Sequence, residues 1–506
     1  MEVTPDFPAF EAAYKAGRPQ VVSTRLIADL ETPVSAYLKL AEGRPYSCLF
    51  ESVEGGTTIG RYSFITMKPD LIWRSKGGRA EINRKARHAP QAFEPLDGPP
   101  LEELRKLVRA NALELPAGAP PMAANLIGYM GYDMVRHMER LPDENPDVLG
   151  VPDAIFVRPT VTCVFDRVED LITVFTPVWP QDDVGPTAAY DRALERLAEV
   201  AQDFERALPY RRSWQDEIDA LPEPVSNMTP EAYKAMVAKA KEYVYAGDIF
   251  QVVLAQRFSV PFRLPPFSLY RALRRLNPSP FLFYLDLEGF SLVGSSPEVL
   301  VRLRDGRVTI RPLAGTRPRG ATPERDRALA EELLADPKEC AEHLMLLDLG
   351  RNDVGRVSKI GSVEVTEKFV IERYSHVMHI SSNVEGELDP KYDAIDALVA
   401  GFPAGTVSGA PKVRAMEIIE ELEPDRRGPY GGAVGYFGAG GAMDTCLALR
   451  TALVKDETMY IQAGAGIVAD SDPESEHQEC RNKARALVRS AEEAVKVADR
   501  TGGRNR

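Results

Sequence analysis

The segment Gln462-Ala463-Gly464-Ala465-Gly466-Ile467-Val468-Ala469-Asp470, followed by Glu476-His477-Gln478-Glu479-Cys480-Arg481-Asn482-Lys483, carries the strongest structural signal in the chain. An apolar strand at 459–462 is predicted to run into a turn at the two glycines, where bare backbone N–H groups can approach an anionic ligand. Asp472 and Pro473 are the residue types of an N-cap and a first helical position, so a helix is predicted to begin there.

One face of this helix carries two carboxylates and an ammonium group. Glu476, Glu479 and Lys483 are three and four residues apart, the spacing of side chains that share a helix face. Such a face is most often a solvated surface with an ion pair, but beside a turn of free amides it can also bind a metal ion and a small acidic substrate. Residues 464–469 also fit the dinucleotide pattern G-x-G-x-x-A, which requires a helix to open at the glycines. Helix signals begin only at Asp472, so that interpretation is not favoured.

A second acidic helix is predicted at 336–349, where Asp-Pro again marks the start. Glu339, Glu342 and His343 form a polar stripe beside an apolar flank. Two such helices can each place one carboxylate on a shared ion, and oxygen ligands favour Mg²⁺ over zinc or iron. His343 is predicted to support the site or cap a neighbour rather than to bind the metal.

Composition limits the classes of protein that fit. The 506 residues are enough for two or more cores, and 44% hydrophobic with 27% charged residues is typical of a globular protein. A net charge of −13 argues against nucleic acid or an anionic membrane as the main partner. The five dispersed cysteines are typical of reduced thiols in a cytoplasmic protein. No basic, apolar leader and no long apolar run is present, so we expect neither a signal peptide nor a membrane span.

The chain is predicted to divide at the proline-rich stretch 221–227. A strand-rich half with turn clusters precedes it. After it, residues 229–247 have the caps and apolar stripe of a helix, and 250–258 alternate as a strand with two distinct faces. Mixed strands and helices of this kind predict an α+β fold.

Three further glycine-containing clusters lie at 312–320, 405–412 and 429–436. The first is basic, the second combines hydroxyl groups with a lysine, and the third leads from a turn into a strand. The second lacks the spacing of a Walker A loop, so nucleotide binding is not supported. Each cluster alone is most often a plain turn, but together they offer cations, hydroxyls and backbone donors that suit a ligand with more than one carboxylate.

Seven ordered blocks resemble the chorismate-utilising enzymes, and within them the chain is similar to the anthranilate synthase component I family from about residue 20 onward. The blocks are AGTRPRG (314–320), DPKECAEHLMLLDLGRND (336–353), RYSHVMH (373–379), GTVSGAPKVRAME (405–417), GPYGGAVGYF (428–437), CLALRTA (446–452) and QAGAGIV with ECRNKARA (462–486). The resemblance implies a two-lobed α+β fold of stacked antiparallel sheets flanked by helices. It also implies an N-terminal domain at 20–205 and a C-terminal chorismate-binding domain at 228–495.

The same resemblance implies roles for individual residues. Mg²⁺ on the ring carboxylate of chorismate would be held by Glu342 and Glu479, with Glu339 and Glu476 as nearby supporting carboxylates. Glu298 would be the general acid for a departing hydroxyl, His379 would act in pyruvate elimination, and Thr406 would hydrogen-bond the substrate side chain. The positions that line the pocket or bind the substrate carboxylates would be Gly315, Thr316, Tyr430, Arg450, Gly464, Ala465, Gly466 and Lys483.

The implied reaction makes anthranilate and pyruvate from chorismate and ammonia. In the isochorismate- and salicylate-forming relatives a lysine activates water on the strand that matches 250–256, whereas this chain has Gln251. Aminodeoxychorismate synthases usually have a lysine in the block where this chain has Ala314. Both differences favour anthranilate synthase. The alternatives that stay open are an aminodeoxychorismate synthase and a catalytically inactive tryptophan sensor, although the intact set of catalytic residues argues against the sensor.

Two regulatory and assembly features are also implied. The segments 48–56 and 60–64 resemble the tryptophan-binding segment of the family, and the complementary positions would be at 278–282. We therefore expect feedback inhibition by L-tryptophan at a site that includes Ser52, Pro280, Phe281 and Leu282; packing of an N-terminal sheet is the alternative explanation of these segments. Because the chain contains no Gly-x-Cys-x-Gly block of a glutaminase, we expect a separate glutamine amidotransferase subunit and hence a hetero-oligomer.

Overall fold

The structure is a computed structural model of the chain and describes residues 2–54, 58–208, 221–374 and 377–502. Its α-helices are α1 (Phe7–Lys15), α2 (Pro33–Leu40), α3 (Pro100–Ala110), α4 (Pro186–Glu205), α5 (Pro230–Ala246), α6 (Pro266–Leu276), α7 (Pro323–Ala335), α8 (Pro337–Gly355), α9 (Ala394–Gly401), α10 (Lys412–Leu422) and α11 (Pro473–Gly502). None of the helices in these ranges has both the length and the apolar character needed to cross a bilayer.

The strands outnumber the helices in the described part of the chain. They are β1 (Val3–Thr4), β2 (Gln20–Ile27), β3 (Ser47–Glu51), β4 (Val53–Glu54), β5 (Thr58–Ile59), β6 (Tyr62–Lys76), β7 (Arg79–Asn83), β8 (Glu94–Pro95), β9 (Asn125–Met130), β10 (Ala154–Asp166), β11 (Leu171–Val178), β12 (Val225–Ser226), β13 (Gln251–Pro261), β14 (Phe281–Leu287), β15 (Phe290–Ser296), β16 (Val299–Arg304), β17 (Arg307–Ile310), β18 (Leu313–Pro318), β19 (Glu364–Arg373), β20 (Val377–Glu387), β21 (Gly409–Ala410), β22 (Ala433–Gly438), β23 (Met443–Leu447), β24 (Thr451–Lys455) and β25 (Thr458–Ile467).

Two long neighbouring strands, β6 and β10, connect two antiparallel sheets. The register between them shifts at Arg158/Pro159, where a bulge bends the pair. Before the bulge β10 pairs with β9, and after it β10 pairs with β11. The first sheet therefore runs β12-β13-β25-β24-β15-β14-β3-β6-β10-β11-β2-β1. The second runs β8-β7-β6-β10-β9-β22-β23-β16-β17-β20, with β18 and β19 also on β20.

The two sheets face each other across an apolar layer, and helices cover their outer sides. Phe50, Phe64, Phe283 and Tyr436 belong to the layer between the sheets. A second buried cluster packs α1, α2, α4, α6 and α11 on the first sheet, and a third packs α3, α8, α9 and α10 on the second. The expected stack of antiparallel sheets between helices is therefore confirmed.

Both halves of the chain contribute strands to both sheets. In the first sheet β3 pairs with β14, and in the second β9 pairs with β22. Residues from the predicted N-terminal segment thus lie directly beside residues from the predicted catalytic segment. The boundaries 20–205 and 228–495 stay predictions, because this shared pairing does not define where a domain begins or ends.

Local predictions differ in outcome. Helix α11 begins at Pro473, and the Asp472 carboxylate accepts a hydrogen bond from the Ser475 N–H at 2.9 Å, as the sequence indicates. Helix α5 ends at Gly247, which adopts a left-handed φ of 83°. The predicted turn at the two glycines is wrong, because β25 continues through them to Ile467. The expected alternation at 250–258 also fails, because β13 is buried on both faces along most of its length. All five cysteines are free thiols.

The close packing of strands at Gly128 gives a test of the fold. Gly128 lies in β9 between β10 and β22, and a Cβ atom there would lie 1.8 Å from the backbone oxygen of Ile155. Because backbone cannot move aside cheaply, we expect Gly128→Ala to lower the free energy of unfolding by at least about 2 kcal/mol. Gly355→Ala in α8 is the control, since nothing lies within 4 Å of its Cβ position, and a change within about 1 kcal/mol is expected there. Urea unfolding of both variants measures the difference, and equal effects would contradict the sheet packing.

Candidate active site

Glu298 is a buried carboxyl group between β15 and β16. Its backbone oxygen accepts a hydrogen bond from the Leu447 N–H at 3.0 Å, which fixes the turn, and the Thr406 hydroxyl donates to its Oε1 at 3.0 Å. Burial raises the pKa of Glu298 to about 8. The side chain is therefore largely a neutral carboxylic acid at pH 7 and can donate a proton.

Thr406 lies in a short 3₁₀ turn, Gly405–Val407. Hydrogen bonds to neighbouring backbone groups hold this turn in place. The Ser408 oxygen accepts from the Val253 N–H at 2.9 Å, and the Ser408 hydroxyl donates to the Ala404 oxygen at 2.8 Å. Gly405 leaves no room for a side chain, since a Cβ atom would lie 2.7 Å from a methyl of Leu349. The hydroxyl of Thr406 is thus held towards Glu298 by contacts on both sides of the turn.

A buried ion pair behind this turn joins three segments of the site. Arg427 and Glu423 have side chains 1% and 2% exposed and lie 2.5 Å apart. Arg427 also donates to the backbone oxygens of Val407, at 2.6 Å, and Val253, at 2.7 Å. Glu423 accepts from the Ala255 N–H at 2.8 Å. The pair therefore connects β13, the Thr406 turn and the segment that leads to Tyr430.

Strand β25 presents its glycines to the same space. Tyr430 lies under the Arg427 guanidinium, with 5.6 Å from Cζ to the ring centroid, and its hydroxyl would lie 2.9 Å from a Cβ on Gly464. A Cβ on Gly466 would lie 2.3 Å from the side-chain nitrogen of Gln251. Only glycine permits these two close approaches. Beyond Ile461, β25 pairs with β13 alone within the described part of the chain.

The segment therefore offers backbone polar groups along one edge of a strand rather than in a turn. The oxygen of Gly464 accepts from the Lys483 ammonium at 2.9 Å. Ala465 has its methyl in the hydrophobic core, so only its backbone is available to a ligand. Gly464, Ala465, Gly466, Tyr430 and Lys483 are thus brought together as predicted, with a different local geometry.

Helices α8 and α11 bring four glutamates close together. Burial raises the pKa of Glu342, and the carboxylates of Glu339 and Glu479 raise it further. Burial likewise raises the pKa of Glu476, with a further contribution from Glu479. Glu342 accepts from the Gln251 amide at 3.2 Å. Carboxylates of the two helices are therefore close enough to influence each other's pKa.

This donor set fits a hard cation. Within the described ranges no group of three or more His, Cys, Asp or Glu converges to hold a metal by itself. Mg²⁺ commonly uses one or two carboxylates together with waters and substrate oxygens, so Glu342 and Glu479 suffice. Glu479 also forms the i,i+4 ion pair with Lys483 at 2.7 Å, and Glu339 pairs with Arg317 at 3.2 Å. His343 lies apart and hydrogen-bonds Ser382 at 2.7 Å.

His379 lies on β20 beside the strand that carries Gly315 and Thr316. Its Nδ1 is 3.0 Å from the Gly315 oxygen and 3.1 Å from the Thr316 hydroxyl. Because a carbonyl oxygen only accepts, Nδ1 carries the proton and Nε2 keeps its lone pair. Burial and then the Arg450 guanidinium lower the pKa of His379 to about 4. The imidazole is therefore neutral at pH 7 and a weaker base than a histidine of near-neutral pKa.

Arg450 is a buried cation with no counterion among the described residues. Burial lowers its pKa, and no ion pair or side-chain hydrogen bond of Arg450 is formed among the described residues. Its φ of 47° is left-handed, which is uncommon for a residue other than glycine and places strain at this position. A desolvated guanidinium fork of this kind suits a carboxylate of a ligand.

Sequence reasoning missed Tyr374 and the Arg427–Glu423 pair. The Tyr374 hydroxyl donates to Glu372 at 2.6 Å, and its ring packs edge-on against His379 at 5.5 Å. The i,i+4 spacing of Glu423 and Arg427 is the only sequence signal for the pair. Tyr374 could have been proposed from the sequence, because it belongs to the block at 373–379. Residues 375 and 376 of that block lie outside the described ranges.

A separate cavity of about 840 Å³ lies beside these residues, between the two sheets. Ser52, Pro280 and Phe281 line it, because the pairing of β3 with β14 brings the two distant segments to one edge. Leu282 is 2% exposed and is not part of the lining. The wall extends to Pro297, next to Glu298, and to Tyr374, next to His379. The residues predicted to bind L-tryptophan and the residues predicted to be catalytic therefore lie on opposite sides of the same cavity wall.

Comparisons with known proteins agree with this arrangement. The profile of the chorismate binding enzyme family matches residues 64–489. Anthranilate synthase component 1 of Cereibacter sphaeroides is 60% identical over 496 residues, which covers 98% of this chain and 99% of that protein. The crystal structure of anthranilate synthase component I from Streptococcus pneumoniae aligns with a TM-score of 0.74 at 35% identity, over 92% of this chain and 99% of the other.

A more distant structure shares the fold alone. The menaquinone-specific isochorismate synthase of Escherichia coli aligns with a TM-score of 0.68 at 20% identity, over 96% of this chain and 99% of the other. The fold and the site thus define a chorismate binding enzyme. More narrowly, the chain belongs to the anthranilate synthase component 1 family.

The raised pKa of Glu298 predicts how stability varies with pH. An unfolded glutamate titrates near about 4.3, whereas Glu298 titrates near about 8 in the folded protein. Between these values the Glu298 side chain binds up to one proton more in the native state than in the unfolded state, so its contribution to wild-type stability falls as pH rises, by up to ~1.4 kcal/mol per pH unit. Glu298→Gln lacks this proton, so its stability relative to wild type should rise from about pH 5.5 to about pH 8.

Urea unfolding at the two pH values measures this change. Glu474→Gln removes an exposed carboxylate from α11 that pairs with Lys234, and no such gain is expected for it. A constant difference between Glu298→Gln and wild type would mean that Glu298 is already ionised at pH 7.

Proposed function

We propose that this chain is the large subunit of an anthranilate synthase, which converts chorismate and ammonia into anthranilate and pyruvate with Mg²⁺. The observation that carries the proposal is the combination in one site of a buried neutral acid, Glu298, with a buried guanidinium, Arg450, that has no counterion among the described residues. The first can protonate a departing hydroxyl, and the second can hold a substrate carboxylate.

Chorismate has two carboxylates, and the site has two regions that suit them. Arg450 and the edge of β25 near Gly464 supply a cation and backbone donors for one. Glu342 and Glu479 would hold Mg²⁺ at the other. The ion would neutralise the ring carboxylate and draw electron density towards it, which eases displacement on the conjugated ring.

The first chemical stage is substitution on the ring. The nitrogen lone pair of ammonia forms a bond to C2, the ring π electrons shift, and the C4–O bond breaks. Glu298 donates its proton to the departing oxygen, which leaves as water, while the Thr406 hydroxyl keeps the acid oriented. The burial that raises the Glu298 pKa supplies the proton at pH 7.

The second stage makes the ring aromatic. The proton at C2 is removed, the bond between C3 and the enolpyruvyl oxygen breaks, and pyruvate leaves. His379 is suited to receive that proton, because its Nδ1–H is directed to the Gly315 oxygen and its Nε2 stays unprotonated at pH 7. Its low pKa makes it a modest base, so the gain in aromatic stability is expected to drive this step.

The nucleophile is proposed to be ammonia rather than water. Gln251 lies against Glu342 and Gly466, at the strand position where water-forming relatives are expected to carry a lysine. An amide side chain does not accept a proton at neutral pH, so it cannot activate water. Aminodeoxychorismate synthesis is the second candidate reaction. Ala314, which stands in place of a lysine, favours anthranilate synthesis.

Ammonia is proposed to come from a separate glutamine amidotransferase subunit. The similar proteins are named component 1, which supports a second component for this chain as well. L-Tryptophan is proposed to inhibit the enzyme from the cavity lined by Ser52, Pro280 and Phe281. A ligand there would press on the wall that includes Pro297 and Tyr374 and so bias the geometry of Glu298 and His379.

Product formation tests the proposed reaction and its metal. With chorismate, an ammonium salt and Mg²⁺, the purified chain should release anthranilate and pyruvate in equal amounts, detected by fluorescence and mass spectrometry. EDTA should abolish turnover and added Mg²⁺ restore it. Glu342→Gln and Glu479→Gln should each lower kcat/KM by at least about 100-fold, whereas Glu474→Gln on the same helix should stay within about threefold. Aminodeoxychorismate as product, or full activity in EDTA, would contradict the proposal.

Substitution in the cavity tests the proposed tryptophan site. Ser52→Phe fills part of the cavity, so we expect the L-tryptophan concentration for half inhibition to rise at least about tenfold. The accompanying loss of kcat/KM for chorismate should be much smaller than this rise. L-Phenylalanine is the ligand control. Unchanged sensitivity to tryptophan would place its site elsewhere.

A further inference from the structure

A small cavity of about 90 Å³ lies between α1, the end of β11 and α4, on the outer side of the first sheet. Three arginines, Arg158, Arg192 and Arg196, line it together with Trp179. Asp70 is the one acidic residue of its lining in the described chain. No residue of the chorismate site takes part, so this cavity has no role in the proposed reaction.

Among the three arginines, only Arg158 forms an ion pair with Asp70 in the described chain. Arg158 donates to both of its carboxylate oxygens, from Nε at 2.8 Å and from Nη2 at 2.9 Å. The same guanidinium stacks on the Trp179 ring, with Cζ 4.2 Å from the centroid. Neither Arg192 nor Arg196 forms an ion pair with any described residue. Two positive charges at the cavity are therefore without a direct ion-pair partner in the part of the chain that the structure describes.

Two buried donors at the cavity also lack a partner. The indole N–H of Trp179 and the Nε–H of Arg196 are both buried and donate to no acceptor among the described residues. Arg196 uses one other nitrogen, Nη1, to reach the Thr176 hydroxyl at 3.2 Å. Burial and the charge of Arg87 lower the pKa of Arg196. Unsatisfied buried donors are costly, and an acceptor with negative charge would satisfy both.

We propose that this cavity binds one small oxyanion, such as inorganic phosphate, sulfate or a short carboxylate. Arg192 and Arg196, one helical turn apart on α4, would bind it together with the Trp179 indole N–H. The cavity volume of about 90 Å³ admits an ion of this size.

The surroundings give the ion a structural effect. The Tyr14 hydroxyl donates to the Val184 oxygen at 2.8 Å and accepts from the Gln181 N–H at 3.1 Å. Helix α1 is therefore already hydrogen-bonded to the segment after β11. An anion bound to α4 and to Trp179 adds a second connection between these elements. Its binding is expected to stabilise the N-terminal part of the chain.

Calorimetric titration of the full chain tests this site. Inorganic phosphate, sulfate and acetate are each titrated against chloride at matched ionic strength, and Tm is followed in parallel. One saturable site with a rise in Tm is expected for at least one oxyanion. Arg196→Met should weaken that binding at least about tenfold. Arg263→Met, which removes the same charge from an exposed position outside the cavity, should leave binding unchanged.

The outcomes separate the ligand classes. Binding of phosphate and sulfate without acetate identifies a tetrahedral oxyanion, and binding of acetate identifies a carboxylate; both support the site. A Tm rise that chloride reproduces, or equal binding by Arg196→Met and Arg263→Met, overturns it. If Arg196→Met does not fold, Arg192→Gln, at an exposed position of the same cavity, replaces it. The same loss of anion binding is expected.

Discussion

The ion pair between Arg427 and Glu423 is the interaction on which the candidate active site depends. It lies in the interior, where removal of one partner leaves an uncompensated charge and typically costs about 3–5 kcal/mol. Its remaining hydrogen bonds go to the backbone of Val407, Val253 and Ala255. Three segments far apart in sequence are thereby held in one arrangement, although neither charged group is among the predicted substrate contacts.

Burial then sets the protonation states that the chemistry needs. The same low-dielectric surroundings raise the pKa of Glu298 to about 8 and lower that of His379 to about 4. At pH 7 the acid therefore keeps its proton and the imidazole carries only the one on Nδ1, so both groups are neutral and suited to their opposite tasks. The charged groups of the site are Arg450, Lys483, which pairs with Glu479, and the glutamates of α8 and α11, so that an anionic substrate and a cation can each be bound.

Local sequence signals predicted the helices of the site well. Asp-Pro at 336 and at 472 fixed the starts of α8 and α11, because a cap and a proline determine backbone conformation over a few residues. The spacing on those helices placed Glu342 and Glu479 on usable faces. The turn predicted at the glycines of β25 is wrong, because glycine is typical both of turns and of strands that other side chains approach closely. Only the positions of Tyr430 and Gln251 distinguish these two cases.

Contacts between distant segments were beyond sequence patterns alone. The resemblance to a family suggested that Ser52 and Pro280 belong to one site, but the pairing of β3 with β14 that unites them follows from sheet topology rather than from any local periodicity. The same holds for Tyr374, which contacts His379 and the wall of the large cavity, and for the contacts of Arg427. Their side chains are ordinary in sequence and gain their roles only from the fold.

A double substitution tests most directly whether the buried pair positions the site. Arg427→Met and Glu423→Leu should each destabilise the protein, and the double variant should regain most of the lost stability, because buried pairs are often replaceable by apolar residues. It would still lack the hydrogen bonds to Val407, Val253 and Ala255. We therefore predict a folded double variant whose kcat/KM for chorismate is at least about 100-fold below wild type. A stable double variant with wild-type kcat/KM would contradict this account.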